Sequence, residues 1–188
     1  MAKNSDNLFT DGFRGTVGGN MTFSRRKSGK VVVSKKRGAN KTAPQPEDLQ
    51  RRGRFKRAIT YAASIMTNLV TKALYQAKTT GDQTAYNIAT RDAYKAPEVT
   101  AINRSAYNGH IGDTIRVEAT DDFKVESVQV AIYTMDNELV EQGAAVLDAS
   151  GLYWVYTATE DHIALDGSTI KATAKDLPGN EHSKQITL

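Results

Sequence analysis

The apolar positions of this chain change rhythm twice, and each rhythm predicts a different kind of structure. Near the start, Met21-Thr22-Phe23-Ser24 and Val31-Val32-Val33-Ser34 are short β-prone runs joined by Arg25-Arg26-Lys27-Ser28-Gly29-Lys30. That pattern predicts a hairpin turning at Ser28-Gly29. A two-stranded ribbon is marginal alone in water, so this one must pack on something else. From Phe55 the spacing switches to threes and fours through Ile59, Ala62, Met66, Leu69, Ala73 and Ala77, which predicts one amphipathic helical stripe. Arg54, Arg57, Tyr61, Asn68 and Lys72 fall on the opposite, solvent-facing side, and Thr67-Asn68 is where the run can divide into two helices. Residues 84–94 predict a short last helix, with Tyr86, Ile88 or Ala89, and Ala93 as its apolar side and Pro97 closing it.

Beyond Pro97 the texture becomes short alternating runs divided by Asp, Asn and Gly. They lie at residues 99–102, 114–119, 125–134, 139–140, 144–146, 153–157, 169–174 and 184–188, with Val128, Val130 and Ile132 on one face. About seven strands in roughly ninety residues predict a β-sandwich. Trp154 is expected as a core or inter-sheet aromatic. The expected fold is therefore α+β in several parts. A basic β-ribbon arm and linker occupies 1–45, an amphipathic helical region 46–96, and an all-β sandwich 97–188. Pro44 and Pro46 stiffen the linker, and Glu47 and Asp48 place acids in the first turn of the helix that follows.

Charge sharpens this division. Residues 1–57 carry fifteen Lys and Arg against four acids, whereas residues 98–188 carry six against fifteen, so a formal total of +4 hides a basic arm and an acidic body. The basic residues Arg14, Arg25, Arg26, Lys27, Lys30, Lys35, Lys36 and Arg37 mark the ribbon as a partner-binding surface, which Lys41 extends and which Arg54 and Arg57 continue on the helix. Such a ribbon can meet an acidic protein surface, including the body of a neighbouring copy, or lie along a phosphate backbone. Phe23 is the one aromatic near the cluster, a thin stacking platform for single-stranded nucleic acid.

Several chemistries are absent. With no cysteine there are no disulfides and no thiolate zinc sites. The run Gly15-Thr16-Val17-Gly18-Gly19 leads towards a strand and lacks both the P-loop ending and the dinucleotide spacing. His110, His162 and His182 lie far apart in polar, turn-like contexts, and no nucleophile-elbow or zinc-protease pattern occurs, so no catalytic residue is assigned. No apolar run reaches the length of a signal peptide or of a bilayer span, which predicts synthesis in the cytoplasm without membrane insertion. One constellation suits a metal. The turns at Asp121-Asp122 and at Asp176 to Asn180 would lie at the same end of a sandwich, where their oxygens can converge on Ca²⁺; capping of turns is the plainer role for the same residues. No other cofactor is expected.

Two resemblances bear on the whole. Arg14-Gly15-Thr16-Val17-Gly18 with Phe23-Ser24-Arg25, Gln50-Arg51-Arg52-Gly53-Arg54-Phe55, and Ala85-Tyr86-Asn87 with Lys95-Ala96-Pro97 resemble small uncharacterised bacterial proteins. These pair a Gly-rich basic hairpin with a Gln-x-x-Arg-x-x-Phe helix, and the resemblance implies no activity. The segments Gly112-Asp113-Thr114-Ile115-Arg116-Val117-Glu118-Ala119-Thr120-Asp121-Asp122 and Ala172-Thr173-Ala174-Lys175-Asp176-Leu177-Pro178-Gly179-Asn180 resemble bacterial immunoglobulin-like domains of surface and appendage proteins. That family implies a stalk, adhesion or assembly module without catalysis. The expected function is thus a non-enzymatic structural or assembly protein. Its basic module docks to a partner or a neighbouring subunit, and its acidic module is displayed or serves as receptor, as in a virion or injection particle built inside the cell. The alternative is a nucleic-acid binder that sets Arg25, Arg26, Lys27, Lys35, Lys36 and Arg37 on phosphates; a glycan-binding role for the sandwich is a third.

Overall fold

The first sheet has four antiparallel strands, β1 (Ala2–Asn4), β2 (Gly15–Val17), β3 (Met21–Arg25) and β4 (Val31–Lys35), in the order β1-β4-β3-β2. A computed structural model of the chain describes residues 2–4, 12–39 and 42–188, with residues 2–4 as backbone alone. β3 and β4 pair with Phe23 opposite Val33. Their turn is closed by Arg26 N–H donating to the Lys30 carbonyl at 2.8 Å, and Gly29 sits at φ 85°, a conformation glycine adopts without a Cβ penalty. The two outer strands are three residues each, too short for alternation to predict. β2 is exposed throughout and leaves an open sheet edge.

Three helices follow: α1 (Pro46–Ile65), α2 (Leu69–Ala77) and α3 (Ala85–Tyr94). Asp48 accepts from the Gln45 N–H at 3.1 Å and so covers a donor at the start of α1. Asn68 ends the run and starts the next, its Oδ1 accepting from Val70 N–H and Thr71 N–H at 3.1 and 3.2 Å. This break corrects the single continuous stripe. Ala58 and Ala62 of α1 are buried, yet α2 is rotated so that Tyr75 points inward at 0% exposure while Leu69 and Leu74 point out at 78% and 52%. Tyr61, expected on the solvent side, is half-buried and hydrogen-bonds to Tyr75. Replacing Asn68 by Ala is expected to cost about 1 kcal/mol of stability, read as a lowered urea midpoint, with Asn68→Asp retaining most of it.

The remaining strands, β5 (Glu98–Ala106), β6 (Thr114–Thr120), β7 (Val125–Tyr133), β8 (Leu139–Leu147), β9 (Trp154–Thr157), β10 (Thr169–Asp176) and β11 (Glu181–Thr187), are antiparallel in the order β11-β10-β7-β8-β9-β6-β5. β8 pairs with β7 along its first part and with β9 at Val146 and Leu147, so it passes from one layer to the other. The sheet folds over until β5 returns beside β11. There Val99 N–H donates to His182 Nδ1 at 3.1 Å and Lys184 Nζ donates to the Thr100 carbonyl at 2.5 Å. His182 therefore lies on a strand and ties the two ends together, where a turn was expected. The alternating positions Ile115, Val117, Val128, Val130, Ile132, Ile170, Ala172 and Ala174 are all fully buried between the layers, and half-buried Trp154 packs against them.

A second, smaller core joins the helices to this body. Ala62, Tyr75, Ala85, Ile88 and Ala89 form it, with Phe123 from the β6–β7 turn and Leu177 from the β10–β11 turn packed against them. The Tyr75 and Phe123 rings lie 4.4 Å apart, a tilted stack.

Candidate carboxylate centre and basic interface

Three carboxylates meet at that junction, each delivered by the periodicity of its own element. On α3 the buried positions are Ala85, Ile88, Ala89 and Asp92, the spacing of an apolar helix face, so Asp92 points inward where an aliphatic residue would serve packing better. On β10 the inward positions are Ile170, Ala172, Ala174 and then Asp176, past a register shift between Lys175 and Asp176. Asp121 follows β6 and closes the β6–β7 turn, its Oδ2 accepting from Phe123 N–H at 2.8 Å and Lys124 N–H at 2.9 Å. One oxygen from each of Asp92, Asp121 and Asp176 lies within 4.8 Å of the other two.

The surroundings are apolar and supply few donors. Asp92 and Asp176 are 1% and 2% exposed. Asp92 Oδ2 accepts from the Tyr75 hydroxyl at 2.5 Å, and because that proton is committed, Tyr61 donates to Tyr75 across 3.1 Å. Asp176 is held by Asn180, through its backbone N–H at 2.6 Å and its side-chain Nδ2 at 2.7 Å; the same Nδ2 reaches the Ala93 carbonyl at 3.4 Å. Asp92 Oδ1 and Asp121 Oδ1 are buried without a hydrogen-bond partner. Burial pushes the Asp92 carboxyl up to about 7; the Tyr75 hydroxyl opposes this, and the neighbouring charges of Asp121 and Asp176 add to it. Burial likewise raises Asp176 against the pull of Asn180, and raises the Tyr75 and Tyr61 hydroxyls.

Of the residues expected from sequence to gather here, Asp121, Asp176 and Asn180 do so. Asp122 turns outward to Lys95 Nζ at 2.6 Å and Arg91 Nε at 3.8 Å, away from the cluster. Asp92 was not foreseen; the signal for it is a carboxylate at the inward position of an otherwise apolar helix stripe. Arg54 and Arg57 belong to the same neighbourhood and line a cleft with Tyr61, Tyr94 and Asn180. The Arg54 guanidinium lies 5.5 Å from the centre of the Tyr94 ring.

The ribbon presents a different surface. Arg14, Arg25, Arg26, Lys27, Lys30, Lys35, Lys36 and Arg37 are all exposed, and among the described residues none of them forms a salt bridge. Lys41 lies outside the described residues. The hydrogen bonds that tie the described ribbon to the rest both end on Asp82, from Ser28 N–H at 2.7 Å and Ser28 Oγ at 3.0 Å. Those two donors hold the Asp82 carboxyl below its ordinary value. Phe23 is buried, with its ring edge-on to Phe13, and so offers no open face for a base.

Within the sandwich, two polar groupings are built for packing. His162 Nε2 lies 2.8 Å from Ser168 Oγ, but that hydroxyl is fully buried and donates to the Ala164 carbonyl, which leaves His162 as the donor and gives Ser168 no access to a substrate. Glu141, 6% exposed, accepts on Oε2 from Tyr156 O–H, Thr159 N–H and Thr159 Oγ1, each at 2.8 Å.

No family model matches the chain. No curated protein matches it either. Among the solved structures, it is similar to an engineered protein with a crystal structure at 1.98 Å resolution, at 14% identity and a TM-score of 0.34. The likeness covers 55% of this chain and 26% of that one, so the chain spans about a quarter of its length.

Proposed function

We propose that this chain is a non-enzymatic structural or assembly protein whose basic ribbon docks on an acidic protein surface, first of all the body of a neighbouring copy. The observation that carries the reading is a row of eight exposed ribbon cations that form no salt bridge among the described residues, on a sheet with an open edge at β2. Residues 98–188 of the same chain carry a net −9, the complementary charge. The strand rhythm and the fold-over of the β-body suit the stalk and assembly role that a bacterial immunoglobulin-like domain implies, and a virion or injection particle is one setting for it. Burial of Phe23 takes one stacking platform from the alternative of single-strand nucleic-acid binding, while Phe13 beside it, 49% exposed, keeps another.

Light scattering behind size-exclusion chromatography at low and high salt, with absorbance at two wavelengths, tests this. A nucleic-acid-free oligomer that dissociates in high salt is the expected result. The double charge reversal Arg25→Glu with Lys36→Glu is expected to weaken association on the order of tenfold. A protein that stays monomeric at all concentrations and salts overturns the reading. A monomer carrying nucleic acid that salt removes replaces it with the phosphate-binding one.

A further inference from the structure

The geometry points to a divalent-cation site for Ca²⁺ formed by the carboxylates of Asp92, Asp121 and Asp176, where α3 meets the β6–β7 and β10–β11 turns. The first ground is spacing. Calcium binds oxygens at about 2.3–2.6 Å, so two ligands on opposite sides of one ion stand about 4.6–5.2 Å apart. The three oxygens here lie within 4.8 Å of one another, and one ion can touch all of them without movement of the backbone. Magnesium, at about 2.0–2.1 Å, requires a tighter and more regular set.

The second ground is independent of the clustering. Asp92 is 1% exposed and carries a buried Oδ1 with no donor, while its other oxygen is taken by Tyr75. Asp121 Oδ1 is orphaned as well. Buried carboxylate oxygens are almost always paired, yet neither Asp92 nor Asp121 forms a salt bridge among the described residues. The cations nearest in sequence, Arg91 and Lys95, are turned to Asp122. A hard cation supplies the missing charge, and an all-oxygen donor set with no His or Cys suits Ca²⁺, Mg²⁺ or Mn²⁺ over the softer transition metals, with the spacing favouring calcium over magnesium. The ion then fastens the helical region to the sandwich, because α3 supplies one ligand and two strand-end turns supply the others.

The full chain, stripped with EDTA, is titrated with CaCl₂ by calorimetry and melted in EDTA and in CaCl₂ at matched ionic strength. One ion per chain is expected, with the melting midpoint raised by about 5–10 °C at a hundredfold excess over Kd and less by MgCl₂. Terbium in place of calcium is expected to show luminescence sensitised through Tyr75, whose hydroxyl touches a ligand. Asp121→Asn, at a half-buried turn position, is expected to lose the calcium-dependent shift, and Asp122→Asn to keep it. If the unaltered protein melts at one temperature in EDTA and CaCl₂ and gives no binding heat, the proposal fails and the pair Asp92–Asp121 shares a proton instead. If Asp122→Asn removes the shift while Asp121→Asn retains it, the ion sits elsewhere and the assignment falls.

Discussion

Replacing Gly109 by alanine is expected to cost about 3–5 kcal/mol, close to the limit that a domain of ordinary stability withstands. Gly109 lies in the β5–β6 connection and its carbonyl accepts from His162 N–H at 2.8 Å, so the two connections pack backbone against backbone. A Cβ at Gly109 would stand 2.2 Å from the His162 carbonyl oxygen and 2.9 Å from its carbonyl carbon. Backbone cannot swing aside as a side chain does. The substitution must therefore break the Gly109–His162 contact, shift the loop that carries Ser168, and still hold φ near +88°. Gly112, three residues on, separates these effects. Its φ is +90°, yet nothing lies within 4 Å of the place an alanine methyl would take, so Gly112→Ala carries only the conformational strain of about 1–2 kcal/mol. Thermal melts of the two variants are expected to differ by several degrees, with Gly109→Ala the lower. Equal midpoints would show that the connection yields and that the close approach is not structural.

The sequence carried the sandwich strands because their periodicity is strict and their inward residues are aliphatic: Ile115 and Val117, Val128 to Ile132, Ile170 to Ala174. It divided β8 into Leu139-Val140 and Ala144-Ala145-Val146, because Glu141-Gln142-Gly143 interrupts the apolar run between them. In the structure Glu141 Oε2 is paired with Tyr156 and Thr159, partners fifteen and eighteen residues away that no local pattern reveals, while Oε1 is buried without a hydrogen-bond partner. The Asn68 break was visible as a possibility, but the rotation it imposes was not. Which side of α2 faces inward is settled by Tyr75 finding Asp92 and Phe123, both far along the chain.

The centre was half legible for the same reason. Turn acids at two strand ends follow from sandwich topology, so Asp121 and Asp176 could be paired in advance. Asp92 could not be, because its role depends on how α3 docks on that end of the sheet. Of the expected pair Asp121-Asp122 only the first reaches the cluster, and Lys95 captures the second. The ribbon's charge was fully visible, whereas its anchor at Asp82, the one seen among the described residues, depends on where the α2–α3 connection comes to lie.

Tyr75 is the second position where a large effect is expected, and its variants separate packing from polarity. Its side chain is fully buried, lies against Phe123, and donates the only hydrogen bond that Asp92 receives among the described residues. Tyr75→Ala removes ring and donor together and is expected to cost about 5 kcal/mol, from the cavity and the stranded carboxylate combined. Tyr75→Phe keeps the ring, and its expected cost of about 2–3 kcal/mol isolates the lost donor to a buried acid. Tyr61→Phe removes the outer hydroxyl of the same chain, which is half-buried and donates to a neutral oxygen, so less than about 1 kcal/mol is expected. Urea unfolding of the three variants ranks them. The order Ala, then Phe at Tyr75, then Phe at Tyr61 follows if the hydrogen-bonded chain ends on a buried carboxylate. If Tyr75→Phe costs no more than Tyr61→Phe, Asp92 has another partner in solution, and the Tyr75–Asp92 bond is not what holds α2 against α3.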